Sequence, residues 1–249
     1  MLRKTLLTIA AGATALALGA SPSKAALVEF DFGNNPTNLP LSTAGCTAHG
    51  VGAVCGNTLT FNGAAAGLGT LTAVSSNGAP GLAPSGFLTY KPENNGFLGI
   101  PGNGLSESGL GESNSSSSCT DAGADCEIGG LASVLVTSSA ALSEMDVRIG
   151  SAQTGEPFNV FTLVNGALTL LSGSPFIPGT NISCPGDICT INFGATTEVA
   201  IQSAAGAGLG NILVTSVSGP GPSMAPEPAS LAVLGAALVG FGVMRRRRR

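Results

Sequence analysis

Between Leu142 and Ile149 the side chains alternate: Met145, Val147 and Ile149 fall on one face, and Glu144, Asp146 and Arg148 on the other. A period of two predicts a strand with one buried and one wet face. The same short apolar runs recur between turn residues at Leu27–Phe32, Asn57–Phe61, Gly69–Val74, Gly86–Tyr90 and Leu131–Thr137. They continue at Phe158–Val164, Ala167–Leu171, Ile188–Phe193, Val199–Ser203 and Ile212–Val217. Asn165-Gly166 separates two of them and is the strongest hairpin signal in the chain, because both residues tolerate the positive φ that a tight hairpin turn needs. No long stretch carries a 3.6-residue apolar period. Eleven strands separated by Gly, Ser, Asn and Pro are enough for two packed antiparallel sheets. The expected fold is therefore all-β, an antiparallel β-sandwich of jelly-roll-like type spanning residues 26–217. Asn62–Gly67 reads as a loop. Residues 92–125, rich in Gly, Ser and Asn, read as one long flexible loop. Residues 218–225 read as a linker.

Both ends depart from this pattern. Arg3 and Lys4 precede an apolar run from Leu6 to Ala20, broken by Ser21-Pro22. Ser23-Lys24-Ala25 then places small residues at the positions a signal peptidase reads. Residues 1–25 are thus expected to be a signal peptide, cleaved after Ala25 or Ala26. At the other end, Pro226-Glu227-Pro228 is followed by an uncharged run from Ala229 to Met244 and then by Arg245, Arg246, Arg247, Arg248 and Arg249. As a helix, residues 229–244 would span roughly 24 Å, at the lower limit for crossing a bilayer core of about 30 Å. The arginines would stop transfer on the cytoplasmic side.

This order of tripeptide, short apolar span and terminal arginine cluster resembles the PEP-CTERM sorting signal, over residues 226–249. The resemblance implies recognition by an exosortase, a membrane transpeptidase-like protease. It also implies cleavage near Pro226-Glu227-Pro228 and release to the outer surface or to extracellular polysaccharide. In such proteins the domain ahead of the tail varies. The middle of the chain also resembles other surface proteins with this tail, in which a Gly-Leu-Gly loop, an acidic stretch and paired strands follow one another; here these are Gly109-Leu110-Gly111, Asp121–Glu127 and Leu131–Phe161.

The ends also hold most of the positive charge. Between Ala26 and Ala225 only Lys91 and Arg148 are basic, against thirteen acids, a net charge of −11 for the domain where the whole chain carries −4. Such a surface repels phosphates, which argues against nucleic-acid binding, and it is compatible with calcium or with basic partners. Negative charge also simply keeps an extracellular domain soluble.

The six cysteines all lie in the exported part, as near pairs: Cys46 and Cys55, Cys119 and Cys126, Cys184 and Cys189. An even count in an exported chain points to disulfides, although sequence alone does not choose a connectivity. Each pair brackets a loop, so local pairing is the simplest expectation, with a Pro-Gly turn between Cys184 and Cys189 suited to a bridged hairpin. Zinc is the competing reading, but it favours Cys-x-x-Cys or Cys/His spacing and His49 is the sole histidine. His49 reads as an exposed loop residue.

Catalytic signals are sparse. A Ser-His or Cys-His centre needs a histidine base, and no phosphate loop is present. Paired carboxylates remain open to a glycoside hydrolase, but the domain has no Trp and a single Tyr90 for sugar stacking. Asp121, Asp125 and Glu127 are the best candidate metal ligands, with calcium as the ion. The leading expectation is a non-enzymatic surface or matrix protein, associated with exopolysaccharide or biofilm. Its partners would be signal peptidase, the export machinery, an exosortase and, transiently, the inner membrane. A carbohydrate- or calcium-dependent binding module and a secreted hydrolase are the alternatives.

Overall fold

A computed structural model describes residues 27–34, 38–81, 83–113, 120–121, 124–204 and 211–220. The expected signal peptide, most of the linker, the tripeptide, the membrane span 229–244 and the terminal arginines lie outside the described residues. So does Cys119. Among the described residues no helix is long and apolar enough to cross a membrane.

The chain forms β1 (Leu27–Asp31), β2 (Thr47–His49), β3 (Gly52–Val54), β4 (Thr58–Gly63), β5 (Gly69–Ser76), β6 (Phe87–Lys91), β7 (Gly109–Ser113) and β8 (Thr120–Asp121). These are followed by β9 (Ala124–Asp125), β10 (Ser133–Ser138), β11 (Met145–Gly150), β12 (Phe158–Val164), β13 (Ala167–Leu170), β14 (Cys189–Phe193), β15 (Glu198–Ser203) and β16 (Leu213–Pro220). One sheet runs β14-β11-β16-β7-β6-β3-β2, with β1 also paired to β16; the other runs β13-β12-β15-β10-β5-β4. The strand pairs are antiparallel throughout.

One buried apolar cluster fills the space between the sheets. The alternation read from sequence supplies it: Met145, Val147 and Ile149 from one sheet, and Val134, Val136, Phe158, Val160, Val199 and Ile201 from the other, are all buried. Phe30 and Phe32 at the end of β1 meet Phe61 of β4 edge to face, with ring centroids 5.1–6.0 Å apart, a contact that joins the two sheets. A bulge between Arg148 and Ile149 shifts the β11–β16 register by one residue, so that Val214 and Val217, three apart, both enter the core. Asn165 and Gly166 both have positive φ, 52° and 79°, as the hairpin between β12 and β13 requires.

Three boundaries differ from expectation. The stretch 92–125 is not one flexible loop: it contains β7, whose five residues are all buried, and Phe97 and Ile100 reach the core. Its burial is achieved by small side chains lying under other backbone, which an apolar pattern does not register. Gly109-Leu110-Gly111 is likewise a strand and not a loop. The linker begins later than residue 218, because Ser218, Gly219 and Pro220 pair with Glu29, Val28 and Leu27. The partner strand, not local composition, sets that end. Asn62 and Gly63 belong to β4, and only Ala64–Ala66 forms a turn of 3-10 helix.

Cys46 is bonded to Cys55 and Cys184 to Cys189. Cys126 is also disulfide-bonded; its expected partner, Cys119, lies outside the described residues. The first bridge closes the base of the β2–β3 hairpin, just beyond the Thr47–Val54 pair. The second does not span a hairpin: Cys184 precedes a 3-10 turn, Pro185–Asp187, that leads into β14. β2 and β14 are the two outer strands of the larger sheet, so each bridge pins an edge that has a ladder on one side only. The bridges close loops of sequence separation 9 and 5. Serine pairs replacing either one are expected to cost about 2–3 kcal/mol by the chain-entropy account. That is a fall of roughly 5–10 °C in thermal midpoint for a domain of this size, measurable by circular dichroism without reductant.

Candidate functional site

Leu88 and Tyr90 of β6 face the core, so Thr89 and Lys91 face outward. They are nevertheless buried, because the segment Cys126–Ile128 lies across the outer face of β3, β6 and β7. The Thr89 hydroxyl donates to the Cys126 carbonyl at 2.5 Å. Ile128 is tied to Ile212 by reciprocal backbone hydrogen bonds. Small residues make room beneath: a Cβ at Gly52 would lie 2.7 Å from Cys126 Sγ, and one at Gly111 would meet the Cys126 carbonyl and lie 2.8 Å from Glu127 Cα.

This strap delivers Glu127 to Lys91. Lys91 Nζ donates to Glu127 Oε1 at 2.8 Å and to Glu107 Oε2 at 3.4 Å. The Ser151 hydroxyl lies 3.2 Å from Glu127 Oε1 and 3.3 Å from Glu107 Oε2. Lys91 and Glu127 are 3 % and 6 % exposed. Ser151 has a positive φ of 53° and is fixed by its N–H donating to the Ser106 carbonyl at 2.7 Å. Burial raises the Glu127 carboxyl above the ordinary carboxylate range, and the Lys91 ammonium opposes that rise.

The cluster is self-paired: Lys91 and Glu127 are buried, and Glu107, whose side chain is 38 % exposed, is the member that reaches solvent. Glu107 and Glu127 are a carboxylate pair, but both are hydrogen-bonded to the same ammonium and the same hydroxyl. A glycosidase pair must instead flank open space for a sugar and a water. The Ser151 hydroxyl has one proton to donate to either carboxylate, and no imidazole stands beside it in the hydrogen-bond network. His49, expected in an exposed loop, lies in β2, and its Nε2 is buried. The strand forms because Thr47-Ala48-His49 folds back on Gly52-Ala53-Val54.

Of the expected metal ligands, Glu127 is turned to Lys91. Asp121 and Asp125 lie on the short β8–β9 hairpin, and their side chains are outside the described residues. Among the described residues no group of three or more His, Cys, Asp or Glu side chains is placed to hold a metal ion. The domain's other cation is also committed. Arg148 Nη1 donates to both oxygens of Glu29, at 2.6 and 2.8 Å, and Ser216 donates to the same carboxylate at 2.5 Å. This half-exposed pair stitches β11, β16 and β1 together. Asp31 lies on the same strand as Glu29, and among the described residues no cation is paired with it. Burial, with Glu93 and Glu29 adding to it, pushes the Asp31 carboxyl up to about 6. Burial, Asp31 and Glu93 together push the Tyr90 hydroxyl upward as well.

Sequence reasoning missed Glu107, Ser151 and Glu29. The signal that could have found them is the scarcity of cations: with two in the whole domain, each must sit opposite an acid once it is drawn into the fold.

Fold and site together define an acidic, disulfide-stapled, two-sheet β domain with a largely buried ion-pair cluster on the outer face of one sheet. No family model matches the chain, and no curated protein does. Among solved structures it is similar to the family 32 CBM from C. perfringens NanJ in complex with galactose, at 12 % identity over 65 % of this chain and 98 % of that one, with a TM-score of 0.29. So low a TM-score transfers neither a site nor a ligand.

Proposed function

We propose that this chain is an exported, non-enzymatic surface or matrix protein, delivered by the two ends of its sequence. Residues 1–25 direct export. Pro226, Glu227 and Pro228 are read by an exosortase, residues 229–244 hold the chain in the inner membrane, and Arg245–Arg249 retain it until it is cut. The released domain joins the cell surface or an exopolysaccharide matrix.

The observation that carries this reading is the register of the first and last strands. Leu27 pairs with Pro220, and β1 runs from there along β16. Cleavage after Ala25 or Ala26, and a second cut near Pro226, therefore leave every ladder of the sandwich intact. Bonded cysteine pairs fit an oxidising compartment. Glu107 and Glu127 share the Lys91 ammonium and do not flank open space from opposite sides, which supports a non-enzymatic role.

Intact mass and fractionation from a native host test the reading. The wild-type protein should lose its tail and appear outside the cell only when the exosortase is present. Replacing Pro226, Glu227 and Pro228 together by alanine should leave full-length protein in the membrane fraction. Unchanged processing of that variant would sink the proposal.

A further inference from the structure

The outermost strands of the larger sheet are β2 and β14, and those of the smaller sheet are β4 and β13. Three of these edges are protected. Disulfides pin β2 and β14, and Asn192 of β14 stands against Glu144 and Asp146, to which its amide donates at 2.9 and 2.6 Å. The segment before β4 lies along it, with the Leu41 N–H donating to the Thr60 carbonyl at 2.7 Å. β13 is different. Among the described residues its one strand neighbour is β12, and it reads Ala167-Leu168-Thr169-Leu170. It has no proline, no charge and no break in register, the devices that keep an open edge from pairing.

The outer face beside that edge is apolar. Leu171 packs against the core, so Leu170 points away from it. The register carries this face along one row: Leu170 opposite Phe161, Phe161 opposite Ala200, Ala200 opposite Leu135, and Leu135 opposite Val74. The wet face of an antiparallel sheet is ordinarily polar. The β5–β6 connection crosses the middle of the row: the Ser133 hydroxyl donates to the Gly78 carbonyl at 2.9 Å, and a Cβ at Gly81 would lie 3.1 Å from Leu168 Cδ1. Ala200 is fully buried, whereas Leu170 at the edge is 48 % exposed.

Charge decides what can cover this edge. Of the thirteen acids between Ala26 and Ala225, Glu198 alone lies in the six strands of this sheet, on β15, two strands in from β13. A basic partner finds no carboxylate at β13. A second copy, repelled elsewhere by a domain charge of −11, meets no like charge there. The strand is also self-complementary. The Leu171 N–H donates to the Val160 carbonyl of β12 at 2.7 Å, so by alternation Thr169 also bonds inward. The N–H and C=O groups of Leu168 and Leu170 then turn to the open edge. We propose that β13 is the contact through which two copies of this chain associate, edge to edge and antiparallel, about a two-fold axis at Thr169. Leu168 of each copy bonds Leu170 of the other, with about four backbone hydrogen bonds in all. The two six-stranded sheets become one, and their apolar rows meet across the seam. The contact belongs with the small, reversible interfaces that bury less than about 1,200 Å², so the dimer fraction rises with concentration. A two-fold pair closes on itself, and it does not depend on how the tail is processed.

Among the described residues no cysteine is free, so one added cysteine reports on contact between copies. Across the two-fold axis Thr169 faces its counterpart in a non-hydrogen-bonded pair with Cα atoms about 4.5 Å apart, within reach of a disulfide. With the full chain purified in detergent, Thr169→Cys should form a disulfide-linked dimer on mild oxidation. Thr58→Cys, exposed on the opposite edge strand β4, should not. Adding Leu170→Lys to Thr169→Cys should remove the crosslink, since an edge lysine blocks pairing. Light scattering on the wild type, which needs no variant to fold, should show the mass rising from one copy toward two with concentration. Leu170→Lys alone should stay at one copy throughout, with unchanged circular dichroism. A wild type that remains a single copy at every concentration would overturn the proposal. So would a dimer that persists in Leu170→Lys, or a crosslink that forms equally well through residue 58.

Discussion

Lys91→Met is expected to destabilise the domain by about 3–5 kcal/mol, because it leaves the buried Glu127 carboxylate without a countercharge, with the Ser151 hydroxyl as its remaining partner. Lys91→Met combined with Glu127→Leu is expected to be within about 1 kcal/mol of wild type or more stable, since the desolvation cost of both charges disappears with them. The contrast separates a buried pair from an exposed one: Arg148 and Glu29 are each more than a third exposed, and such pairs contribute about 0–1 kcal/mol. The single variant also carries a pH signature. Burial already holds the Glu127 carboxyl above its ordinary range, and loss of the ammonium raises it further. A carboxyl whose folded pKa lies above its unfolded one favours the folded state below that pKa and loses the advantage as pH rises through it. The penalty of Lys91→Met should therefore be smaller in mild acid and largest at neutral pH and above. Urea unfolding of the three proteins at two pH values checks this. A single variant as stable as wild type would show the pair to be solvated in solution.

The strands that sequence exposed are the ones whose two faces differ. Each of the eleven apolar runs overlaps a strand, because residues such as Val147 and Ile149 must face the core while Asp146 and Arg148 must not. β2, β3 and β7 escaped for a physical reason: apart from Val54 and Leu110 they are made of Gly, Ala, Ser, Thr, His and Glu, and while β3 and β7 are buried by backbone lying over them and not by apolar contrast, β2 has no buried face at all. The local pairing of Cys46 with Cys55 and of Cys184 with Cys189 was legible, since short loops hold their ends together in any fold. The ion-pair cluster was not. Lys91, Glu107, Glu127 and Ser151 are far apart in sequence; Glu107 and Ser151 meet Lys91 through the Ser151–Ser106 backbone contact, and Glu127 joins them because the strap Cys126–Ile128 crosses β6 and β7. Reading Glu127 as one of a metal-binding set followed from its neighbours in sequence; its neighbours in space are a lysine and a serine.

Gly111 is where the strap and the ion pair become one structural unit. A methyl group there would meet the Cys126 carbonyl, Thr89 Oγ1 and Glu127 Cα. Two of these are backbone atoms, so no rotamer change relieves the contact and the strap must lift. Lifting it withdraws Glu127 from Lys91. Gly111→Ala is therefore expected to cost about 1–3 kcal/mol of packing strain and, in addition, much of the 3–5 kcal/mol tied to the buried pair. In the Lys91→Met, Glu127→Leu background no charge is stranded when the strap moves, so the same glycine substitution should cost the strain alone. The two sets of changes should thus be coupled, with an interaction energy of about 2 kcal/mol or more in a double-mutant cycle, at the upper end of what contacting residues show. Additive effects, with Gly111→Ala equally costly in both backgrounds, would mean that strap and pair are held independently, and the account of Gly111 as the floor beneath Glu127 would fail.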